Sequence, residues 1–325
     1  MTLSDNGLPA IGGYFELELP DRQGMPHISL QCFQSARAAF IALLRAGRPA
    51  KVWMPRFICN AMLAPLEKSG IDYAWYDLTD ELEVRSEVRL GSDEWLLYVN
   101  YFGICGAKVD ALLHRFSSTQ IVLDYSQAFY APPRKEALAT IYSPRKFFGV
   151  PDGGFLHTQL PISMPEVVDE TSYLRMEHLM RRLVDSPESG YSAYQDAEES
   201  LCDLEPRRMS RLTERILSSI DFESARKKRI ENFMILHEKL GGGGTLNAID
   251  ENAVPLVYPY RTTNPDLRQH LINNRIFVAT YWSDALERLN VDEAEKFIHY
   301  LLPLPIDQRY NKADMERLVS VIKNS

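Results

Sequence analysis

Short apolar runs alternate with amphipathic segments through the first half of the chain. Four of these runs are rich in β-branched and aromatic residues and are typical of buried strands: KVWM, IDYAWYDL, EWLLYVNYFG and TQIVLDYSQAF. Between them, small and apolar residues recur at helical spacing over 35–46, 59–69 and 107–116. Two further strand-like runs, ALATIYS and GFLHT, enclose a short loop. This alternation predicts a mostly parallel sheet covered by helices on both faces.

The second half of the chain shows a different pattern. From about Pro161 to Arg215 it becomes helical and strongly charged, with few strand signals. Beyond that, a compact α+β unit is indicated by FESARKKRIENFMILHEKL, VPLVYPY, a helix through Leu271, RIFVATYW, a helix around 292–301 and ADMERLVSVIKN. We therefore predict a large α/β/α domain at residues 26–215 and a smaller α+β domain at residues 216–325. Residues 1–25 are expected to pack alongside the smaller domain.

Composition narrows the class of protein. The net charge of −8 argues against nucleic acid as the main partner, because phosphate backbones are bound by basic surfaces. No apolar run approaches the roughly 18 residues that would suggest a membrane span, and the N-terminus lacks the pattern of a signal peptide. The four cysteines show no metal-site spacing and are expected to be buried, reduced thiols. A cytoplasmic protein without a metal, nucleic-acid or membrane partner is the expectation.

Polar residues after the strands are the candidates for chemistry, since ligands of such sheets bind at the carboxyl ends of the strands. Asp124 ends the most apolar strand, and Gln127 follows three residues later. A carboxylate near a buried strand end needs a cation or several donors, and a protonated pyridine nitrogen would be such a cation. The alternative is an aspartate that only caps the next helix.

Ser35 and Ala36 stand at the start of the first predicted helix. Small residues there let backbone N–H groups and a hydroxyl meet an anion at the positive end of the helix. The simpler interpretation is that Ser35 is an ordinary N-cap.

Ser143 and Lys146 form an SxxK pattern in the segment YSPRKFFGVPDGG. Burial of Lys146 in this apolar turn would lower its pKa and make it a nucleophilic amine. A surface lysine is the alternative. Serine β-lactamases also use SxxK, but they need a KTG element that this chain lacks, and Ser143 follows a strand.

The glycine run and the aromatic residues each have a structural explanation. The run Gly241–Gly244 lacks the Lys-Ser/Thr of a P-loop and follows a helix, so it predicts a helix C-cap and turn. Aromatic residues are dense near the strand ends and are either core or partners for a planar ligand: Phe57, Tyr101, Phe102, Phe129, Tyr130, Phe147 and Phe148.

Taken together, these segments resemble the DegT/DnrJ/EryC1/StrS family of sugar aminotransferases, a branch of pyridoxal-5'-phosphate (PLP) fold type I. The resemblance covers most of the chain. DYSQAF and LLPLPIDQRYNKADMERLVSVI are its most specific parts, and FQSARAAFIALLRAG, VWMPRFICNAMLAPLEKSGIDYAWYDL, YVNYFGICGAKVDALL, RMSRLTERIL and LINNRIFVATYW are also similar.

The resemblance implies PLP as the cofactor and a role for each matching residue. Lys146 would carry the cofactor as a Schiff base and move the proton at the substrate α-carbon. Asp124 would hold the pyridine nitrogen, and Gln127 would lie against the ring or its 3-hydroxyl side. The phosphate would be bound by Ser35, the backbone at Ala36, and Ser143.

The chain departs from the family pattern at several positions. The serine and lysine are closer together than usual, and Cys59 stands about where the ring-stacking aromatic residue is found. Phe57 or Tyr101 would then have to stack on the ring. Arg207 stands near the position of an asparagine that reaches the phosphate of the partner subunit, and it would replace that asparagine.

The function implied by this resemblance is transfer of an amino group from glutamate or glutamine to a keto-sugar nucleotide by a homodimer. The aminated sugar would be used in the biosynthesis of surface polysaccharide or secondary metabolites. Lys146 favours transamination, because the family's sugar dehydratases replace that lysine with histidine. Another PLP reaction, or a non-catalytic relative that acts as a regulatory or scaffold protein, remains an alternative.

Overall fold

The chain forms a seven-stranded sheet and a separate two-stranded sheet in a computed structural model, which describes residues 12–22, 24–27, 29–202, 205–241 and 253–325. The large sheet has the order β1-β7-β6-β5-β4-β2-β3. Its strands are β1 (Gln31–Phe33), β2 (Lys51–Pro55), β3 (Asp72–Tyr76), β4 (Glu94–Val99), β5 (Ile121–Asp124), β6 (Ala139–Tyr142) and β7 (Gly154–Thr158). All neighbours from β3 to β6 pair in parallel, and β7 is antiparallel to both β6 and β1. The predicted mostly parallel sheet is confirmed.

Helices cover the sheet and build the smaller unit around the antiparallel pair β8 (Val257–Arg261) and β9 (Leu301–Pro305). The described α-helices are α1 (Ala36–Gly47), α2 (Ala64–Ser69), α3 (Gly106–Arg115), α4 (Glu177–Val184), α5 (Tyr191–Glu199), α6 (Arg211–Ser218), α7 (Phe222–Leu240), α8 (Leu267–Asn273), α9 (Val291–Ala294) and α10 (Lys312–Lys323). None of these helices is long and apolar enough to cross a membrane.

Helix α1 begins where its sequence predicts, and its start is fixed by close packing. The Ser35 hydroxyl accepts a hydrogen bond from the backbone N–H of Ala38, which satisfies one of the free donors at the helix start. A Cβ atom on Gly154 would lie 2.3 Å from the carbonyl carbon of Ser35 and 2.4 Å from the nitrogen of Ala36. Only glycine therefore lets β7 pass directly beneath the beginning of α1.

Two hydrophobic cores are present. The larger one surrounds the seven-stranded sheet, and the smaller one lies between α7, α8, α10 and the β8–β9 pair. Helix α7 serves both, since Phe222 belongs to the larger core and Phe233 to the smaller one. The predicted boundary at 215/216 precedes this shared helix, so the division into domains 26–215 and 216–325 stays a prediction.

Several local features differ from the sequence pattern. The predicted helix over 59–69 is divided into a 3₁₀ turn, Asn60–Met62, and α2, because Pro65 lacks an N–H and is best placed in a first helical turn. The helix expected around 292–301 ends early in a π-helical turn, Glu295–His299, and strand β9 follows. Gly241 caps α7 with a φ of 69°, whereas the rest of the glycine run lies outside the described residues.

Candidate functional site

A cavity of about 790 Å³ opens at the carboxyl ends of the central parallel strands. Val99 at the end of β4, Asp124 at the end of β5 and Ser143 just after β6 all line it. The segment 277–284 of the smaller unit and side chains of α5 contribute the opposite walls. Six of the predicted site residues line this one cavity: Ser35, Ala36, Asp124, Gln127, Ser143 and Lys146.

Asp124 is a buried carboxylate with little hydrogen-bonding support. It is 4% exposed, and its Oδ1 accepts a hydrogen bond of 2.8 Å from the backbone N–H of Ser126. Burial raises the pKa of this carboxyl, and the bonds from Ser126 and the charge of Lys146 oppose the rise only in part. The aspartate shapes a turn, but it caps no described helix, so a cationic partner in the cavity would stabilise it.

Gln127 is held in one orientation by the backbone. Its Oε1 accepts a hydrogen bond of 2.6 Å from the N–H of Phe102, whose φ of 58° is left-handed. Next to it, Gly103 approaches so closely that a Cβ atom would lie 2.5 Å from the carbonyl oxygen of Gln127. This local packing leaves the amide of Gln127 fixed at the cavity wall.

Hydroxyl and backbone groups collect at the start of α1. Ser35 is an N-cap and a cavity residue at once, so its two interpretations do not exclude each other. Ser143 is 8% exposed, and its hydroxyl has no hydrogen bond within the described part of the chain. A buried hydroxyl that faces a cavity is available to a ligand.

Lys146 lines the cavity, but it is not buried. It ends a 3₁₀ turn, Pro144–Lys146, and its side chain is exposed. The expectation that burial activates this amine is wrong for the single chain. Its exposure instead makes the amine accessible to a ligand that enters the cavity.

The loop that carries Lys146 is anchored by the smaller unit. Arg229 of α7 is 1% exposed, and its guanidinium donates to the carbonyl oxygens of Phe147 at 3.3 Å and Leu256 at 3.0 Å. Gln308 also donates to the carbonyl of Phe147, at 3.0 Å. Burial lowers the pKa of Arg229 to about 10, with the charge of Asp307 acting against that shift. The sequence pattern marked α7 only as a charged amphipathic helix, and this anchor was missed.

The two predicted stacking residues are core residues. Phe57 and Tyr101 are at most 1% exposed, lie parallel to each other at 5.6 Å, and do not line the cavity. The Tyr101 hydroxyl donates to the carbonyl of Phe57 at 2.9 Å, which fixes the pair. The structure therefore does not support either residue as a ring partner, because both are used in packing the interior.

Trp282 is the aromatic residue that joins this core to the cavity. Its ring contacts Phe57 edge-on at 4.6 Å and Tyr101 at 5.5 Å, and it lines the cavity. Its φ of 53° is unusual for a bulky side chain. Sequence reasoning did not select Trp282, although the YW pair in RIFVATYW was a usable signal; that segment is irregular, not a strand.

Cys59 also lines the cavity, at the position where the resemblance predicted an aromatic residue. Burial raises the pKa of its thiol, although the nearby Lys146 opposes this. All four cysteines are free, but the expectation that they are buried is wrong for three of them: only Cys105 is buried, and Cys202 is exposed.

Arg207 lies away from the cavity. Its backbone N–H donates to Oε1 of Gln34, and its guanidinium is 3.8 Å from Oδ1 of Asp169. A contact with a partner subunit's phosphate stays a prediction for this residue.

Four cavity residues were not foreseen from the sequence. Arg145 forms an ion pair with Glu198 of α5, and Tyr191 and Tyr194 of the same helix line the cavity mouth. No motif marked Glu198, Tyr191 and Tyr194, because they come from a charged helical segment distant in sequence from the strand ends. Arg145 lies beside Lys146 in the SxxK segment and was not selected.

Comparisons with known proteins identify the fold. No family model and no curated protein matches the chain. Among solved structures, sugar aminotransferase CalS13 from Micromonospora echinospora is 15% identical, with a TM-score of 0.62 over 93% of this chain and 88% of that chain. A DegT DnrJ EryC1 StrS aminotransferase from Brucella abortus is 15% identical, with a TM-score of 0.58 over 91% and 85%. The pyridoxal-phosphate form of Spr1654 from Streptococcus pneumoniae is 14% identical, with a TM-score of 0.62 over 92% and 88%. The fold predicted from the resemblance, that of PLP fold type I, is confirmed.

Proposed function

We propose that the chain is a PLP-dependent aminotransferase that moves an amino group from glutamate or glutamine to a keto-sugar nucleotide. The observation that carries the proposal is the convergence of Lys146, Asp124 and the hydroxyls of Ser35 and Ser143 on one cavity. These are an amine, a buried carboxylate and an anion-binding helix start, which are the three groups that PLP chemistry needs.

The residues present fit the cofactor. Asp124 is buried and has few donors, so a protonated ring nitrogen would supply the positive charge that it lacks. Ser143 lines the cavity with a hydroxyl that has no partner in the described chain, and α1 directs its free N–H groups at the same region. A cavity of about 790 Å³ also falls in the size range of ordinary small-molecule sites.

PLP, when bound, supplies an electron sink for the bond cleaved at the substrate α-carbon. The chain's own groups then have distinct tasks. The Lys146 amine binds the cofactor and moves a proton at the α-carbon. The Asp124 carboxylate stabilises positive charge at the ring nitrogen, and Gln127, fixed by the N–H of Phe102, orients the ring. Trp282 lines the cavity and would supply an aromatic surface to a planar ligand.

The keto-sugar acceptor is supported by two observations. Several solved proteins of the same fold are sugar aminotransferases, and CalS13 is one of them. Lys146 is present at the position where the related sugar dehydratases have histidine, which favours amino transfer over elimination. A sugar for surface polysaccharide or a secondary metabolite is the product class we propose.

We also propose a homodimer. Helix α4 contains no buried residue, and it contacts α5 beside the cavity. Large apolar side chains are exposed on α4, α5 and the preceding 3₁₀ turn: Tyr173, Leu174, Met180, Leu183, Val184, Tyr191 and Tyr194. A second copy would cover this α4–α5 face, which is continuous with the cavity through Tyr191 and Tyr194.

The first experiment is a visible spectrum of protein mixed with PLP, before and after L-glutamate. We expect a band that glutamate bleaches, no band in Lys146→Ala, and a normal band in Lys135→Ala, an exposed lysine outside the cavity. A band that ignores glutamate would indicate another donor or another PLP reaction. If wild-type protein gave no band, the non-catalytic alternative would replace this proposal.

A further inference from the structure

Arg145 presents a cationic group to the cavity one residue before Lys146. Its side chain is 12% exposed and lines the cavity wall. Its Nε atom is buried and has no hydrogen-bond partner within the described residues. A guanidinium in this position can bind an oxyanion through two parallel N–H groups, and only part of that capacity is used.

The carboxylate of Glu198, in α5, is the anion that pairs with Arg145 in the structure. The Nη2 atom of Arg145 donates to Oε1 of Glu198, and the glutamate side chain remains 34% exposed at the cavity. Burial alone would raise the pKa of this carboxyl, but Arg145 and then Lys146 and Arg37 lower it overall. Glu198 is therefore an ionised carboxylate among three cations.

The same region contains the free donors at the start of α1. Ser143 lies two residues before Arg145, and its buried hydroxyl faces the cavity without a partner in the described chain. Arg37 lies in the first turn of α1 and donates to the sulfur of Cys202, just beyond α5. The end of α5 is thus held against the helix start where Ser35 and Ser143 converge.

We infer that Arg145, Arg37 and Ser143 form a phosphate-ester site in which the Glu198 carboxylate is an internal competitor. A dianionic phosphate suits this set better than a carboxylate, because two arginines, a hydroxyl and a 12-residue helix start surround one space. Binding of the ester breaks the Arg145–Glu198 pair and releases α5 from that contact. The inference rests on the proposed function only for the identity of the ester, which is the phosphate of PLP.

The test measures inorganic phosphate binding by calorimetry in the full chain without cofactor. Glu198→Gln removes the competitor, so the phosphate dissociation constant should fall about tenfold; Arg145→Gln should raise it about tenfold or more. Arg145→Lys, which keeps the charge but not the planar fork, should lie between wild type and Arg145→Gln. Two matched controls should bind as wild type does: Glu199→Gln, exposed on the same helix, and Arg181→Gln, exposed on α4.

The outcomes separate this inference from the proposed function. Unchanged phosphate binding in Glu198→Gln and Arg145→Gln, with unfolding midpoints near wild type, would overturn the inference. It would also be overturned if glutamate without cofactor, and not phosphate, followed the same series. PLP should follow the phosphate series, whereas pyridoxal, which has no phosphate, should not. If the phosphate series holds but no visible band forms with PLP, the site stands and the proposed function fails.

Discussion

At the scale of single residues, the surroundings of the cavity contain carboxyls whose burial is incompletely compensated. Asp152 is the clearest one outside the cavity. It is fully buried, its Oδ2 accepts a hydrogen bond of 3.1 Å from the N–H of Ser210, and its Oδ1 is buried without a partner in the described chain. Burial raises its pKa to about 6, although hydrogen bonds oppose the rise.

The raised pKa of Asp152 predicts the direction in which stability changes with pH. The folded chain binds a proton at Asp152 more tightly than the unfolded chain, so this group makes stability fall as the pH rises from about 4 to about 6. Asp152→Asn removes this loss of stability, because asparagine does not titrate. Relative to wild type, its free energy of unfolding should improve by about 2 kcal/mol more at pH 7 than at pH 4. Urea unfolding at both pH values measures this, and an equal difference at both would contradict it.

At the scale of secondary-structure elements, the N-terminus of α1 is both capped by a side chain and part of the cavity wall. Ser35 caps it through the N–H of Ala38, and Asn311 caps α10 through the N–H groups of Ala313 and Asp314. Both residues are N-caps of 12-residue helices, but only Ser35 lines the cavity.

We expect Ser35→Ala and Asn311→Ala each to lower the free energy of unfolding by about 1 kcal/mol. Only Ser35→Ala should also weaken PLP binding, by about tenfold, because Ser35 is proposed to donate to the phosphate. Thermal unfolding and a PLP titration separate the two effects. Equal loss of PLP affinity in both variants would show that Ser35 acts only through stability.

At the scale of the whole molecule, one helix joins the two cores to the site. Helix α7 packs in both cores, and its Arg229 holds the carbonyl of Phe147 beside Lys146. The α4–α5 face beside the cavity exposes apolar side chains. The second copy is proposed to bind there.

Light scattering should accordingly give twice the mass of one chain. Leu183→Asp combined with Val184→Asp places two charges on the α4–α5 face, where these side chains are 77% and 80% exposed. Each buried aliphatic side chain contributes about 1.5–3 kcal/mol, so the dimer dissociation constant should rise at least about 100-fold. Val291→Asp, an exposed valine on α9, is the control and should leave the dimer intact. A dimer that survives the double substitution would place the interface elsewhere.

Six of the seven strands of the large sheet, β2 to β7, and the polar groups at its edge could be predicted from local sequence, whereas the short strand β1 was not predicted. Strand and helix periods are local, so β5, α1 and their boundary residues Asp124 and Ser35 could be predicted to within a residue or two. Because carboxyl ends of parallel strands meet at one edge, the convergence of Asp124, Ser143 and Lys146 also followed from local pattern.

Which side chains complete the cavity depends on contacts between segments that are distant in sequence. Phe57 and Tyr101 were reasonable ring partners by position, but packing directs both into the core, and Trp282 from a segment more than a hundred residues away takes the cavity wall. Arg145 became a candidate only when α5 brought Glu198 to it. Burial and charge pairing depend on contacts between distant segments, and no period or motif along the chain records them.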